Sequence, residues 1–409
     1  MEDLIVYVHV PFCSSKCHFC SWTSPISAAE LVRNRAHGSE YAAAVIRQLK
    51  RFQSAVKSES TMRVIYFGGG TPSLLESGDL GNILEAIHGV FRPTESFGDT
   101  TIEIAPETVH LDKLRDLRAA GFTRISFGFQ SLNEKRLRHI ARAHSAGQAV
   151  QAFEMARKAG FENVNIDLML GFPDETDEEW EETFNRALAL GPDHLSLYIY
   201  KKIFGTVMAK QIDQGSAKAT PTSVAVRRYL DASERLVAAG YREYVFQLFA
   251  REGKHCFCDE SYFRLDADHI GFGAGAHSLF QGYLMGHSPD LASYLQRPQF
   301  EYRIPISDSP NVIQTKLFEM LHTDEGIDPA KVERRLRVSL PEAKRRHTQV
   351  RAFFEDLMSS GPRTDAEGRI SFPDRQQRAM WLGRQPRRYD AVEAAPVARE
   401  FVRIAAADC

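Results

Sequence analysis

Three cysteines fall within eight residues near the start of the chain: Cys13, Cys17 and Cys20, spaced C-x3-C-x2-C. They follow directly on an apolar run, Leu4 to Val10. Thiolates this close can grip one multinuclear metal centre, and soft sulfur ligands select iron–sulfur clusters or zinc. Iron–sulfur clusters usually take four cysteines, so a site with three leaves one iron open to bind something else. Zinc is the competing reading, with His18 or a distant ligand completing the set. Zinc sites favour two C-x2-4-C pairs or a Cys/His pair at fixed spacing, and no second pair stands close by.

Other positions carry weaker signals. Gly68-Gly69-Gly70-Thr71-Pro72 removes three successive Cβ atoms, which either lets backbone groups approach a ligand or makes a tight turn. Glu103 stands between Ile102 and Ile104, where an unpaired buried carboxylate would be costly, so it must meet a partner or a ligand. Gln130, Arg142 and Asp167 say little singly, since an arginine on a helix is usually solvated and Asp167 serves equally as a structural acceptor. Cys256 and Cys258, beside His255, read as small residues in a packed loop, in preference to a second metal site or a thiol near substrate. Cys409 reads as inert. The aromatic group from Tyr241 to Phe263 is mostly core, with some rings available to wall a flat pocket.

These residues need a scaffold, and the chain supplies a repeated strand–helix alternation. Strands are predicted at Leu4–Val10, Val64–Phe67, Thr101–Ala105, Arg124–Phe129, Val164–Leu170 and His194–Tyr198. Helical spacing predicts helices from about Glu40 (Tyr41, Val45, Leu49, Phe52, Val56), through Leu80 to Ile87, and from Leu111 to a stop at Gly121. Further helices start at Asn133 and Gly147, and another runs from Asp174 to Leu190. Six such units with parallel crossovers make an α/β fold, an incomplete (β/α)6 TIM-like barrel. Sites in such barrels lie at the C-terminal strand ends, where the cysteines, the glycines, Glu103, Gln130 and Asp167 fall. After about Thr206 the rhythm changes. A helix over Thr222–Ala239 precedes an aromatic- and glycine-rich region that includes Gly271 to His277, and a smaller, mainly helical region begins at Asn311. The expected domains are 1–206, 207–300 and 301–409.

At 409 residues the chain has room for one large domain and a smaller one. Its 43% hydrophobic and 25% charged content is ordinary for a soluble globular protein. A formal net charge of −2 gives no global case for binding nucleic acid or an anionic membrane, and neither is expected as a partner. The arginine patches at Arg334, Arg335 and Arg337, at Arg345 and Arg346, and at Arg387 and Arg388 read as solvated faces and loops. No run is long enough to cross a membrane. Six cysteines, three of them clustered, do not resemble a secreted disulfide framework, so a cytoplasmic location is expected.

Together the motifs become specific. C-x3-C-x2-C after a strand is the cluster signature of the radical S-adenosylmethionine enzymes. The chain resembles the family of oxygen-independent coproporphyrinogen III oxidase and its relatives, which include a heme chaperone and a set of methyltransferases. The resemblance covers roughly residues 4 to 285. It is carried by Tyr7 to Cys13 with the following cysteines, Phe67 to Pro72, Glu103 with Pro106, and Ser126 to Ser131. Arg142 with His144, Asp167 to Pro173, and Gly271 to Ser278 complete it. It implies that Cys13, Cys17 and Cys20 ligate a 4Fe–4S cluster whose fourth iron chelates S-adenosylmethionine. It also implies cofactor contacts from Tyr7, Gly70, Thr71, Glu103, Gln130, Arg142, Asp167 and Lys201. Arginine can clamp a carboxylate through two parallel hydrogen bonds, and acidic groups accept from an ammonium or ribose hydroxyls. Two molecules of S-adenosylmethionine and an electron donor such as a flavodoxin or ferredoxin are further implications.

Departures from the family pattern select a branch. The oxidase carries a segment ahead of its first strand and a further cysteine two residues after the third. Here the sequence starts almost at the strand, and Trp22 occupies that cysteine's place. The heme chaperone carries a His-Asn-x-x-Tyr-Trp signature and a winged-helix-like end, whereas this chain reads Cys258-Asp259-Glu260-Ser261-Tyr262-Phe263. What remains resembles the class C radical methyltransferases. The expected function is therefore C-methylation or cyclopropanation of an unsaturated or heteroaromatic carbon, on a small-molecule or peptide-borne aromatic substrate, using a second S-adenosylmethionine. The alternatives are a porphyrinogen oxidase and a heme-binding protein on the same fold.

Overall fold

Period-two alternation decides which way each strand faces. In β1 (Asp3–Val10), Leu4, Val6, Val8 and Val10 enter the main apolar core, while Ile5 joins a separate cluster on the other face with Val64. β2 (Thr61–Gly69), with the two-residue β3 (Arg92–Pro93) at its flank, turns Ile65 and Phe67 to the main core. β4 (Thr100–Ile104), β5 (Arg124–Gln130), β6 (Val164–Leu170) and β7 (His194–Ile199) repeat the division, with Ile102, Ile125, Ile166 and Leu195 facing the helices. Their intervening positions, among them Glu103, Ser126, Asp167 and Ser196, face the barrel axis. These strands pair in parallel, β1-β2-β4-β5-β6-β7, with Glu103 opposite Ser126 and Asp167 opposite Ser196. The computed structural model describes residues 3–21, 36–55 and 61–384. Trp22, Val56, Arg387, Arg388 and Cys409 lie outside them.

The outer layer is helical, as the apolar spacing requires. Leu80, Ile83, Leu84 and Ile87 form the buried stripe of the helix Ser77–Val90. Leu111–Ala120 stops where Gly121 takes a φ of 110°, a left-handed cap that glycine adopts without strain. One helix starts later than its acidic residues suggest. It spans Asp177–Ala189 because Thr176, not Asp174, supplies the capping oxygen, to the backbone N–H of Glu179.

Residues from 242 to 305 extend the same sheet, past the expected boundary at 300. β8 (Arg242–Val245) and β9 (Leu248–Ala250) form an antiparallel hairpin beside β7. β10 (Asp268–Phe272) pairs in parallel with the free side of β1, Tyr7 opposite Gly271. β11 (His277–Phe280), β12 (Tyr283–Gly286) and β13 (Tyr302–Pro305) continue antiparallel, giving a sheet of 13 strands among the described residues. The helix Phe257–Phe263 lies against the axial face, where Cys256, Cys258 and Tyr262 meet Ile5, Val64 and Tyr66. It therefore fills the barrel at the end where the strands begin. Beyond it come the helices Pro310–Met320, Pro329–Leu336, Leu340–Arg346, Thr348–Ser359 and Arg375–Arg384. Among the described residues no helix is long and apolar enough to cross a membrane.

Candidate functional site

Where the parallel strands end, a cavity of about 650 Å³ opens. It is lined by Cys13, Cys17, Cys20, Gly70, Thr71, Glu103, Gln130, Arg142 and Asp167. Nine of the eleven residues picked out by the sequence thus line one cavity. Tyr7 and Lys201 do not line it. The Tyr7 ring stacks on Tyr66, 6.1 Å between centroids, and its hydroxyl lies 3.3 Å from Nδ1 of His9. Lys201 is drawn to the C-terminal helix, its ammonium donating to the Leu382 carbonyl at 2.5 Å.

The cysteine loop is anchored by its backbone. His18 N–H donates to the Ile140 carbonyl at 3.1 Å, and Met208 N–H donates to the His18 carbonyl at 3.0 Å. The glycine loop fits against it so closely that a Cβ on Gly70 would lie 2.4 Å from the Phe12 carbonyl and 3.0 Å from Cys13 Sγ. Its lack of side chains thus lets two loops of the chain meet, an approach to the protein's own backbone rather than only to a ligand. Thr71 hydrogen-bonds the Cys13 thiol.

Burial first, then the neighbouring Cys20 and Cys17, push the Cys13 thiol up to about 11. Three thiolates cannot persist together there without a cation among them, and metal binding would release their protons. Among the described residues no three His, Cys, Asp or Glu side chains converge closely enough for one metal ion. A polynuclear cluster asks for a wider spacing, because each cysteine binds a different iron. Arg142 stands beside this loop, Nη1 3.4 Å from Cys17 Sγ and Nη2 2.5 Å from the Gly128 carbonyl. Its buried Nε has no hydrogen-bond partner among the described residues, which leaves a donor for a ligand carboxylate. The donor set and this orphaned N–H fit a three-cysteine cluster carrying an amino-acid ligand.

The opposite wall is acidic. Glu103 accepts from Tyr66 Oη at 2.9 Å and from Gly69 N–H at 3.1 Å, the partners its apolar strand demanded. Burial, then the charge of Asp167, raises its carboxyl to about 8 despite those bonds. Asp167 accepts from Asn165 Nδ2 at 2.8 Å and Ser126 Oγ at 3.3 Å, and burial raises it too. A cationic ligand would draw both back toward the ionised form. Gln130 holds a φ of 65° at the end of β5, where the register slips against β6. Such a conformation costs energy in a non-glycine residue and clusters at ligand sites.

Sequence reasoning missed Glu107, which accepts from Ser14 Oγ and lies 3.4 Å from His144 Nδ1. Its signal was its position, next to the motif residue Pro106. Asp259 was also missed. It is a carboxyl raised by burial to about 6, on the helix that fills the barrel. Cys256 and Cys258 are buried, with thiols pushed well above the ordinary value, first by burial. They are packed small residues, as expected, but at the start of the helix Phe257–Phe263 rather than in a loop.

The barrel and its three-cysteine loop define a radical S-adenosylmethionine protein, and residues 7–187 match the Radical SAM superfamily. Two heme chaperones, HemW of Bacillus subtilis and HemW of Escherichia coli, are each 30% identical to the chain. The matches cover 68% of this chain in both cases, and 71% and 70% of the chaperones respectively. The solved coproporphyrinogen III oxidase HemN of Escherichia coli superposes with a TM-score of 0.70 at 21% identity, over 93% of this chain and 89% of that one. The chain belongs to the coproporphyrinogen III oxidase-like family of the radical S-adenosylmethionine superfamily, and its cofactors are a 4Fe–4S cluster and S-adenosylmethionine.

These relatives correct the expected branch. The heme chaperones overturn the class C methyltransferase reading, and C-methylation and cyclopropanation go with it. That reading rested on features the chain lacks, which say what a protein is not. One of them, Trp22, lies outside the described residues.

Proposed function

We propose that the chain is a radical S-adenosylmethionine protein that handles a tetrapyrrole, binding heme as the HemW chaperones are named for doing. The identity to those chaperones over two thirds of the chain carries this reading. In it Cys13, Cys17 and Cys20 hold the cluster, and the cavity beside them holds S-adenosylmethionine. When bound, these groups supply one-electron reduction and cleavage of a sulfonium carbon–sulfur bond. The chain's own residues bind and orient. Gly70 and Thr71 shape the edge at the cysteine loop, and Arg142 offers its Nε–H to the carboxylate. Glu103, Gln130 and Asp167 receive the ammonium and ribose hydroxyls, and the arriving cation favours the ionised form of the two acids. Residues 1–206 form the cofactor-binding unit, 207–300 extend its sheet and fill its far end, and the described residues from 301 on carry β13 and then mainly helices. A flavodoxin or ferredoxin in a reducing cytoplasm would supply the electron.

Heme titration of the anaerobically reconstituted protein tests this. A Soret-shifted complex of one heme per chain is expected, and a band unchanged from free heme would reject it. A second reading, oxidation of a porphyrinogen, is favoured by one observation. Where the chaperone signature has its histidine this chain has Cys258, a thiol buried against Ile5 and Val64 and not among the residues that line the cavity. Carbon dioxide release from coproporphyrinogen would establish that alternative.

A further inference from the structure

The short 3-10 turn Pro106–Thr108, directly after β4, touches three loops of the cavity. The Glu107 carboxylate accepts from Ser14, the residue after Cys13, while its other oxygen lies 3.4 Å from His144 Nδ1. Thr108 Oγ1 is 2.6 Å from Ser73 Oγ, just past Thr71 in the glycine loop. His144, fully buried, stands two residues beyond Arg142, whose guanidinium reaches Cys17. Burial opposes the charge of Glu107, but the adjacent His144 imidazole, the hydrogen bond from Ser14 and the nearby Arg142 hold its carboxyl at about 2. An anion therefore sits between the cysteine loop and the arginine segment. No role in cofactor contact accounts for it, since Glu107 does not line the cavity.

We infer that Glu107 is a positioning residue that clamps the cysteine loop, holding Ser14 and His144 together so that Cys13 and Cys17 keep the spacing a cluster needs. The inference rests on the cluster assignment above. Partners that orient metal ligands typically contribute roughly ten- to a hundredfold in metal affinity.

The test compares anaerobically reconstituted wild type with Ser14→Ala, Glu107→Ala, Glu107→Gln and the Ser14→Ala/Glu107→Ala double variant. It reads the rate of iron release to a chelator and the electron paramagnetic resonance signal of the reduced cluster. Each alanine variant should lose iron roughly tenfold faster with an altered signal, and the double variant no faster than the worse single, because one contact is shared. Glu107→Gln keeps an oxygen for Ser14 and should restore release to near the wild-type rate. Release and signal unchanged in Glu107→Ala, or full additivity in the double variant, would overturn the inference. If Glu107→Ala does not fold, Ser14→Ala decides, and unchanged release there overturns it too. A wild type that binds no iron would instead remove the cluster assignment itself.

Discussion

The two ends of the barrel use the same strands and the same alternation, yet they treat inward polar groups in opposite ways. At the end where the strands begin, the helix Phe257–Phe263 covers them, and His194, Tyr244 and Asp99 find partners inside the protein. His194 Nδ1 lies 2.6 Å from Asn165 Oδ1 and its Nε2 lies 2.8 Å from Tyr244 Oη, and that hydroxyl accepts from Cys256 N–H at 3.2 Å. Asp99 accepts from Thr101 Oγ1 at 2.5 Å and from Phe257 N–H at 3.2 Å. At the other end no element among the described residues covers the axis, and Glu103, Asp167 and Arg142 face a cavity. The lesson concerns burial: an inward polar residue is structural or functional according to whether another element closes over it.

The sharpest way to break this comparison is at the open end. Replacing Cys13, Cys17 and Cys20 together with alanine should abolish iron binding and S-adenosylmethionine cleavage while leaving the fold's thermal melt largely in place. Iron analysis and far-ultraviolet circular dichroism check it, and a full iron complement in the triple variant would refute the site. The covered end should respond the other way. His194→Ala takes one partner each from the Asn165 oxygen and the Tyr244 hydroxyl and empties a buried site, costing about 3 kcal/mol in a urea melt with iron content retained.

The smallest effect is a slope. Glu103 is near 8 folded against an ordinary 4.5, so between those values the folded state holds more protons than the unfolded one. Its contribution is fully present below about pH 4.5 and is lost as pH rises through 8. Glu103→Gln should flatten this decline in urea melts at pH 5, 7 and 9. An equal decline in both proteins would place the slope elsewhere, with Glu175, raised to about 7 by burial, the first place to look.

Where information is local, the sequence carried it. β6 was legible to its end residues because Val164 to Leu170 is bounded by a turn and alternates cleanly, and the cysteine loop was legible because its ligands lie within one turn of chain. The joining of β8 to β13 to the same sheet was not. It depends on Tyr7 meeting Gly271, a pairing that no short window contains. Tyr7 and Lys201 failed to reach the cavity for the same kind of reason, since Tyr66 and Leu382, distant in sequence, hold them. Glu107 was hidden because a carboxylate in a short turn ordinarily reads as solvated.

The placement of β1 also fixes an order of events during synthesis. This first strand is not an edge: β2 flanks it on one side and β10, more than 250 residues later, on the other. Until β10 has left the ribosome, β1 presents an unpaired row of N–H and C=O groups, a template for misassociation. The cysteine loop hangs from the end of that unfinished strand, and Gly273 packs close against its His9 carbonyl. Cofactor loading thus belongs late in the life of the nascent chain, after the sheet has closed around its own beginning.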